Sequence, residues 1–377
     1  MITASPVCAP ETVSLPPRGW QASLREAFRD VDALLGFLGL SRADVALDPA
    51  TTFPLLVPRA FAARMRFGDA GDPLLRQVLP LAAEALSPAG FLADPVGDLA
   101  KSRSPGLIHK YAHRVLLIAT GSCAVHCRYC FRRHFPYADE LAARDGWRAA
   151  LATIAADASI HEVILSGGDP LSLATTKLAE LGEALRCIPH VRRLRIHTRW
   201  PVVLPERIDA ELCAWLERLP WPVTVVLHAN HANEIDTHVA SACKRLRAAG
   251  AVLLNQAVLL RGVNDTPEAL QALSEALAAN AVLPYYLHLL DRVTGAAHFE
   301  VGERRARALI RALRSELPGY LVPRLAREVA GKDSKPGTPE QVRALGAPWM
   351  PRPCRHPWGV PGPPEHGTRR QNRAICD

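Results

Sequence analysis

Aromatic residues are scarce in this 377-residue chain, at 6%, and none interleaves with basic residues as base stacking would require. The net charge of +8 invites a nucleic-acid partner, but the basic residues are dispersed. Arg304, Arg305, Arg307, Arg311 and Arg314 share one expected helix, and Arg192, Arg193 and Arg195 open an expected strand. Solvated helix faces account for that charge, so no direct nucleic-acid partner is expected. No apolar run approaches the ~18 residues of a membrane span. Residues 1–20 lack the basic and apolar regions of a secretory signal, so a cytoplasmic protein without a membrane partner is expected. No G-x-G-x-x-G opens the first βα unit, which excludes the common dinucleotide fingerprint. No internal repeat stands out.

What is present begins with a Pro-rich stretch, 1–19, expected to be disordered. Residues 20–113 read as a helical N-terminal region. Leu24, Phe28, Val31, Leu34, Leu35 and Leu38 recur at helical spacing up to Gly39, and Asp72-Pro73 reads as a cap and first turn of another helix. From 114 to 317 apolar strand-like runs alternate with helices. Six such runs occur: 114–120, 161–166, 193–198, 224–228, 252–259 and 283–290. Helices are expected near 143–157, 175–187, 206–218, 232–249, 266–279 and 302–316. Six βα units with continuous apolar strands predict a parallel sheet covered by helices, an incomplete (β/α)6 barrel of TIM type in the α/β class. Polar and glycine residues cluster just past the strands, where barrel enzymes do chemistry. An apolar piece and a Gly/Ser/Lys loop follow over 318–339. Residues 340–377, rich in Pro and Arg, read as a disordered tail.

The chemistry concentrates in GSCAVHCRYCFRRHF, residues 121–135. Cys123, Cys127 and Cys130 stand in C-x3-C-x2-C spacing with no fourth thiol nearby. Three thiolates on one short loop can each take one iron of a [4Fe–4S] cubane, which leaves the fourth iron open to a small chelating molecule. A zinc loop or three structural cysteines are the alternatives; structural zinc normally needs four ligands in paired sets. The other cysteines (Cys8, Cys187, Cys213, Cys243, Cys354 and Cys376) are scattered and read as ordinary thiols of a reducing compartment.

The chain resembles the lysine 2,3-aminomutase family of radical SAM enzymes, and within it the branch that supplies β-lysine to elongation factor P. The resemblance covers roughly residues 20–339. It is carried by DPLLRQVLP, GLIHKYAHRVLL, the cysteine loop, SGGDPL, RLRIHTRWPVVLP, HANHANEID, LLNQAVLLRGVND, LPYYLHLLDRVTGAAHF and GYLVPRLAREVAG. It implies the radical SAM fold, and an isomerase that uses a [4Fe–4S] cluster, S-adenosylmethionine (SAM) and pyridoxal 5′-phosphate (PLP). L-lysine would be converted to (R)-β-lysine, with reducing electrons from a flavodoxin or ferredoxin and a functional link to elongation factor P and its lysyl-ligase. A catabolic or osmolyte-forming enzyme acting on free lysine is the nearest alternative. A non-catalytic iron–sulfur or redox-sensing scaffold is an alternative of another class.

By the same resemblance Cys123, Cys127 and Cys130 are the cluster ligands. Gly167, Gly168 and Asp169 hold the methionine end of SAM, although a glycine turn at a strand end is equally a tight βα connection. Gln256 corresponds to a position near SAM. Lys335 falls at the PLP-lysine position, with Lys332 as its competitor in KDSKPGTP. Lys110, Tyr111 and Arg114 correspond to phosphate-binding positions, Lys110 standing where the aminomutases proper carry Arg. Arg132 matches the Arg that binds the lysine carboxylate. Asp291 and Glu328 match the contacts to its distant ammonium, Glu328 replacing an Asp. Surface ion-pair partners are the bland reading of these last three.

Overall fold

A computed structural model describes residues 19–48, 50–86, 88–138 and 142–328. The expected disordered start, both candidate PLP lysines (Lys332 and Lys335), the tail from 340, and Cys8, Cys354 and Cys376 lie outside the described residues.

The N-terminal region is less helical than its pattern predicts. The Leu24–Leu38 repeat is split into α1 (Trp20–Arg25) and α2 (Val31–Phe37), with the Asp30 side chain accepting from Ala33 N–H to start the second. Leu34, Leu35 and Leu38 are buried as the periodicity predicts, and Gly39 ends the run at φ +68°. After α3 (Arg59–Ala62), Asp72 accepts from Leu74 and Leu75 N–H and starts α4 at Pro73, as expected. α4 ends after one turn, at Arg76. Pro80 offers no N–H and disfavours helix at Leu79, which stops the apolar pattern from continuing as one helix. Residues 102–111 are not helical either. They form β1 (Ser102–Ser104) and β2 (Leu107–Tyr111), an antiparallel hairpin whose connection passes through Gly106 at φ +73°.

β2 pairs antiparallel with β3 (Arg114–Thr120). From β3 onward every pairing is parallel and in chain order: β4 (Glu162–Gly167), β5 (Arg193–Thr198), β6 (Val223–Leu227), β7 (Val252–Leu259), β8 (Leu283–Leu289) and β9 (Arg324–Ala326). Helices α5 (Arg148–Ala156), α6 (Thr175–Arg186), α7 (Trp200–Val203), α8 (Ala210–Arg218), α9 (Thr237–Ala248), α10 (Pro267–Ala279) and α11 (Glu303–Glu316) fill the connections. Three start on the caps their sequences offer, with Asp209, Asp236 and Thr266 side chains accepting N–H groups of the first turn. A sheet that adds parallel strands one after another in sequence order, with β1 and β9 as its two edges among the described residues, is an open barrel. The six expected strands are all found. The short seventh, β9, follows Pro323 and is too brief to read from periodicity.

The strands divide their faces by burial. On β5, Leu194, Ile196 and Thr198 are buried beneath the helices while Arg195 and His197 are half-buried. β7 repeats the alternation, with Asn255 and Ala257 buried and Gln256 half-buried between them. The half-buried positions of these two strands carry Arg195, His197 and Gln256 alongside Leu254 and Val258.

Candidate active site

The cysteine loop leaves the C-terminal end of β3 and is clamped to the N-terminal region. Arg128, fully buried, sends Nε and Nη2 to the two carboxylate oxygens of Glu84 (2.6 and 2.5 Å), and also reaches Phe53 O (2.8 Å) and Thr51 Oγ1 (2.9 Å). Arg128 N–H bonds Gln77 O at 2.8 Å, and His126 N–H bonds Leu56 O at 3.0 Å. Between these anchors Cys123, Cys127 and Cys130 are half-buried free thiols. Burial, and then repulsion from its fellow cysteines, pushes the Cys123 thiol well up; the same causes push Cys130 up to about 11. Three thiolates gathered here would be held ionised by a cationic centre, and the donor set suits a cluster in that respect. Among the described residues no three His, Cys, Asp or Glu side chains are gathered as one metal ion would need. Such convergence belongs to a zinc site; a cubane takes its thiolates one per iron.

The Ser166-Gly167-Gly168-Asp169 turn lies against the root of that loop. Gly168 N–H donates to Thr120 O and Asp169 N–H to Ser122 O, both at 2.7 Å. A Cβ on Gly168 would stand 2.3 Å from Ser122 O, and Gly167, at φ +118°, would put one 2.5 Å from Thr120 O. The close approach these glycines permit is thus to the chain's own backbone, where the sequence suggested approach to a ligand. The Asp169 carboxylate is also engaged internally, accepting from Thr198 Oγ1 (2.7 Å), Arg199 N–H (2.6 Å) and Leu171 N–H (3.1 Å). Burial lifts its pKa to about 6 against those hydrogen bonds.

The residues expected around PLP phosphate and substrate converge on a carboxylate that the sequence did not single out. Asp98, 2% exposed, accepts from Arg132 Nε at 2.8 Å and pairs with Lys110 Nζ at 2.5 Å. Burial opposes ionisation, but Arg132 and Lys110 together hold Asp98 below the usual carboxylate range. Lys110 also lies 3.7 Å from Glu328 Oε1, which accepts from the Tyr111 hydroxyl at 2.5 Å. The Arg114 guanidinium sits over the Tyr111 ring, 4.6 Å from its centroid. Arg132 continues to Ser166 Oγ at 3.3 Å, joining this group to the glycine turn. Lys110, Tyr111, Arg114, Arg132 and Glu328 are therefore one assembly spanning the β2–β3 hairpin, the cysteine loop and the end of β9. Asp98 lies in a loop with no motif around it, so only the fold reveals it.

Gln256 is placed apart from that assembly. Its amide meets His228 Nε2 at 2.8 Å on the barrel's inner face, where His228 and His197 pack edge-on at 5.9 Å. Asp291 follows β8 and is half-buried.

His298 packs at a tilt against Phe299, ring centroids 4.0 Å apart, and among the described residues neither of its ring nitrogens has a hydrogen-bond partner. Burial first, and then nearby arginines against an opposing pull from Glu84, lowers its pKa to about 4. An unfolded histidine titrates near 6.5, so between those values the unfolded chain binds the extra proton. Stability should fall as pH drops through that window, by about 1–2 kcal/mol once partial exposure is allowed for. Urea titrations of wild type and His298→Phe across the window isolate this contribution. The difference in stability between the two should change with pH and then level off below about pH 4.

No family model matches the chain. Among curated proteins it is 45% identical over 336 residues to "L-lysine 2,3-aminomutase" of Escherichia coli, which covers 88% of this chain and 98% of the relative. It is 44% identical to the protein of the same name from Haemophilus influenzae, over 86% of this chain and 97% of that one. Among solved structures, a radical SAM methyltransferase from Sphaerobacter thermophilus aligns over 59% of this chain and 68% of its own, with 18% identity and a TM-score of 0.39.

Proposed function

From the premise that this chain belongs to the lysine 2,3-aminomutase family of radical SAM enzymes, isomerases whose cofactors are a [4Fe–4S] cluster, SAM and PLP, we propose that it makes β-lysine for attachment to elongation factor P. When bound, those cofactors supply the one-electron chemistry that breaks an unactivated C–H bond, which no side chain can do near neutral pH. The protein's part is to bind, orient and neutralise charge. Cys123, Cys127 and Cys130 hold the cluster on a loop that Arg128 and the glycine turn keep in place. Arg132 presents a planar guanidinium to the lysine carboxylate, its Nε fixed by Asp98 and its Nη1 near Ser166 Oγ. Lys110, Tyr111 and Arg114 hold phosphate; Asp291 and Glu328 take the distant ammonium. Gln256 would meet SAM from β7, and the Gly167–Asp169 turn its methionine end. Lys335 would hold PLP through its amine.

One observation carries the branch assignment. Two of the positions at which the resemblance marks a departure from the aminomutases proper, Lys110 and Glu328, are neighbours 3.7 Å apart, and Glu328 accepts from Tyr111 beside Lys110 in the chain. Paired departures within one substrate-facing group suit a family branch with altered substrate handling better than independent drift does.

The test is anaerobic reconstitution of the full chain with iron, sulfide and PLP, then reductant, SAM and L-lysine, with Lys335→Ala alongside. Chiral chromatography should find (R)-β-lysine from wild type and none from the variant. Adding elongation factor P and its ligase should give a factor heavier by one β-lysyl group. Abundant β-lysine that the ligase does not transfer would favour the free-lysine enzyme. Cluster uptake without SAM cleavage would favour a scaffold.

A further inference from the structure

We propose that Arg199 is a positioning residue which, held in place by Tyr129, sets the reduction potential of the cluster through its hydrogen bond to the Cys127 sulfur. The inference rests on Cys127 being a cluster ligand. Arg199 follows β5 and reaches beneath the cysteine loop, where its Nη1 donates to Cys127 Sγ at 2.7 Å and to the Tyr129 hydroxyl at 2.6 Å. The Tyr129 hydroxyl, by accepting from the same Nη1, holds that nitrogen in place beside Cys127. The other nitrogen, Nη2, donates to Gln77 Oε1 (2.7 Å) and Glu234 Oε2 (3.0 Å). Gln77, Arg199, Asn230 and Glu234 are all buried.

This arrangement exceeds what a buried ion pair needs. The pair with Glu234 is satisfied through Nη2, and Glu234 is held by its other oxygen, which accepts from Asn230 N–H, His231 N–H and Gln77 Nε2. Asn230 Nδ2 in turn donates to Tyr129 Oη at 2.7 Å and fixes the ring's polar end. Arg199's own backbone N–H is tied to Asp169. The guanidinium therefore has no freedom to turn away, and its second nitrogen is left aimed at sulfur. Donors on a ligand thiolate stabilise the more electron-rich, reduced state of a cluster and so raise its potential. Glu234 opposes this by offsetting the guanidinium charge.

The two sides of the network predict shifts of opposite sign. Tyr129→Phe and Arg199→Lys, which weaken donation to sulfur, should lower the potential. Glu234→Gln, which leaves the guanidinium charge uncompensated, should raise it. The reconstituted full chain, without SAM, is titrated anaerobically, the reduced cluster read by electron paramagnetic resonance and loading by iron and sulfide content. At a fixed solution potential the reduced-to-oxidised ratio should fall about tenfold in Tyr129→Phe, equivalent to about 59 mV for one electron. Unchanged potentials in fully loaded variants, or shifts of Tyr129→Phe and Glu234→Gln in the same direction, overturn the inference while leaving the ligand assignment standing. Tyr129→Phe keeps the ring and decides the matter alone if Glu234→Gln does not fold. A wild-type chain that takes up no cluster overturns both.

Discussion

Gly168→Ala should leave a chain that folds but retains little iron and makes no product. The added Cβ would sit 2.3 Å from Ser122 O and 2.7 Å from Gly121 C, and both are backbone atoms that cannot rotate aside as a side chain could. The turn and the loop must separate, which breaks the bonds from Gly168 N–H to Thr120 O and from Asp169 N–H to Ser122 O. Those bonds fix the backbone next to Cys123, so that proposed cluster ligand loses its position first. Functional constellations fail when displaced by about 1 Å, so activity should fall further than stability. The check is iron and sulfide per chain after reconstitution, with circular dichroism to confirm folding. Gly302→Ala is the control: its φ is −62° and nothing lies within 4 Å of a Cβ there, so it should load like wild type. Full loading of Gly168→Ala would mean that the turn does not position the loop.

What could be read from the sequence follows from how far each signal reaches along the chain. Arg114–Thr120, Arg193–Thr198 and Val252–Leu259 were expected over those very residues, because an apolar run flanked by turn residues is a local signal. The cysteine loop was legible for the same reason, three thiols within eight residues. Residues 20–113 depart from the expected helices because helical spacing of apolar residues does not reveal that α1 stops at Arg25, that α4 ends after one turn ahead of Pro80, or that 102–111 pairs as a hairpin. The support around the site was invisible for a different reason. Glu84 and Arg128, Asp98 and Arg132, and Arg199 and Glu234 are separated by at least 34 positions and meet only in the fold. A single sequence carries no sign of which Asp or Arg will be buried together. Asp169 shows the intermediate case: the motif marked the residue, but its side chain braces Thr198 and Arg199.

Arg128→Ala should cost about 3–5 kcal/mol of stability, among the largest effects available to a single substitution outside the barrel. The argument turns on burial rather than distance. Arg42 and Asp32 approach just as closely, at 2.6 Å, but both are more than half exposed, and Arg42→Ala should change stability little. Arg128 and Glu84 are 0% and 2% exposed, so removing the arginine strands a buried carboxylate that Arg133 alone, at 2.9 Å, must then balance. It also frees the acceptors Phe53 O and Thr51 Oγ1, which have come to depend on the same guanidinium. The double variant Arg128→Met/Glu84→Leu removes both charges and should recover part of the loss, since apolar replacements of a buried pair are often tolerated. Denaturant unfolding of the three variants measures these differences. Because Arg128 lies between Cys127 and Cys130, two of the proposed cluster ligands, iron loss in Arg128→Ala should begin at lower denaturant than global unfolding. Simultaneous loss would mean that the N-terminal region and the loop open only with the barrel itself.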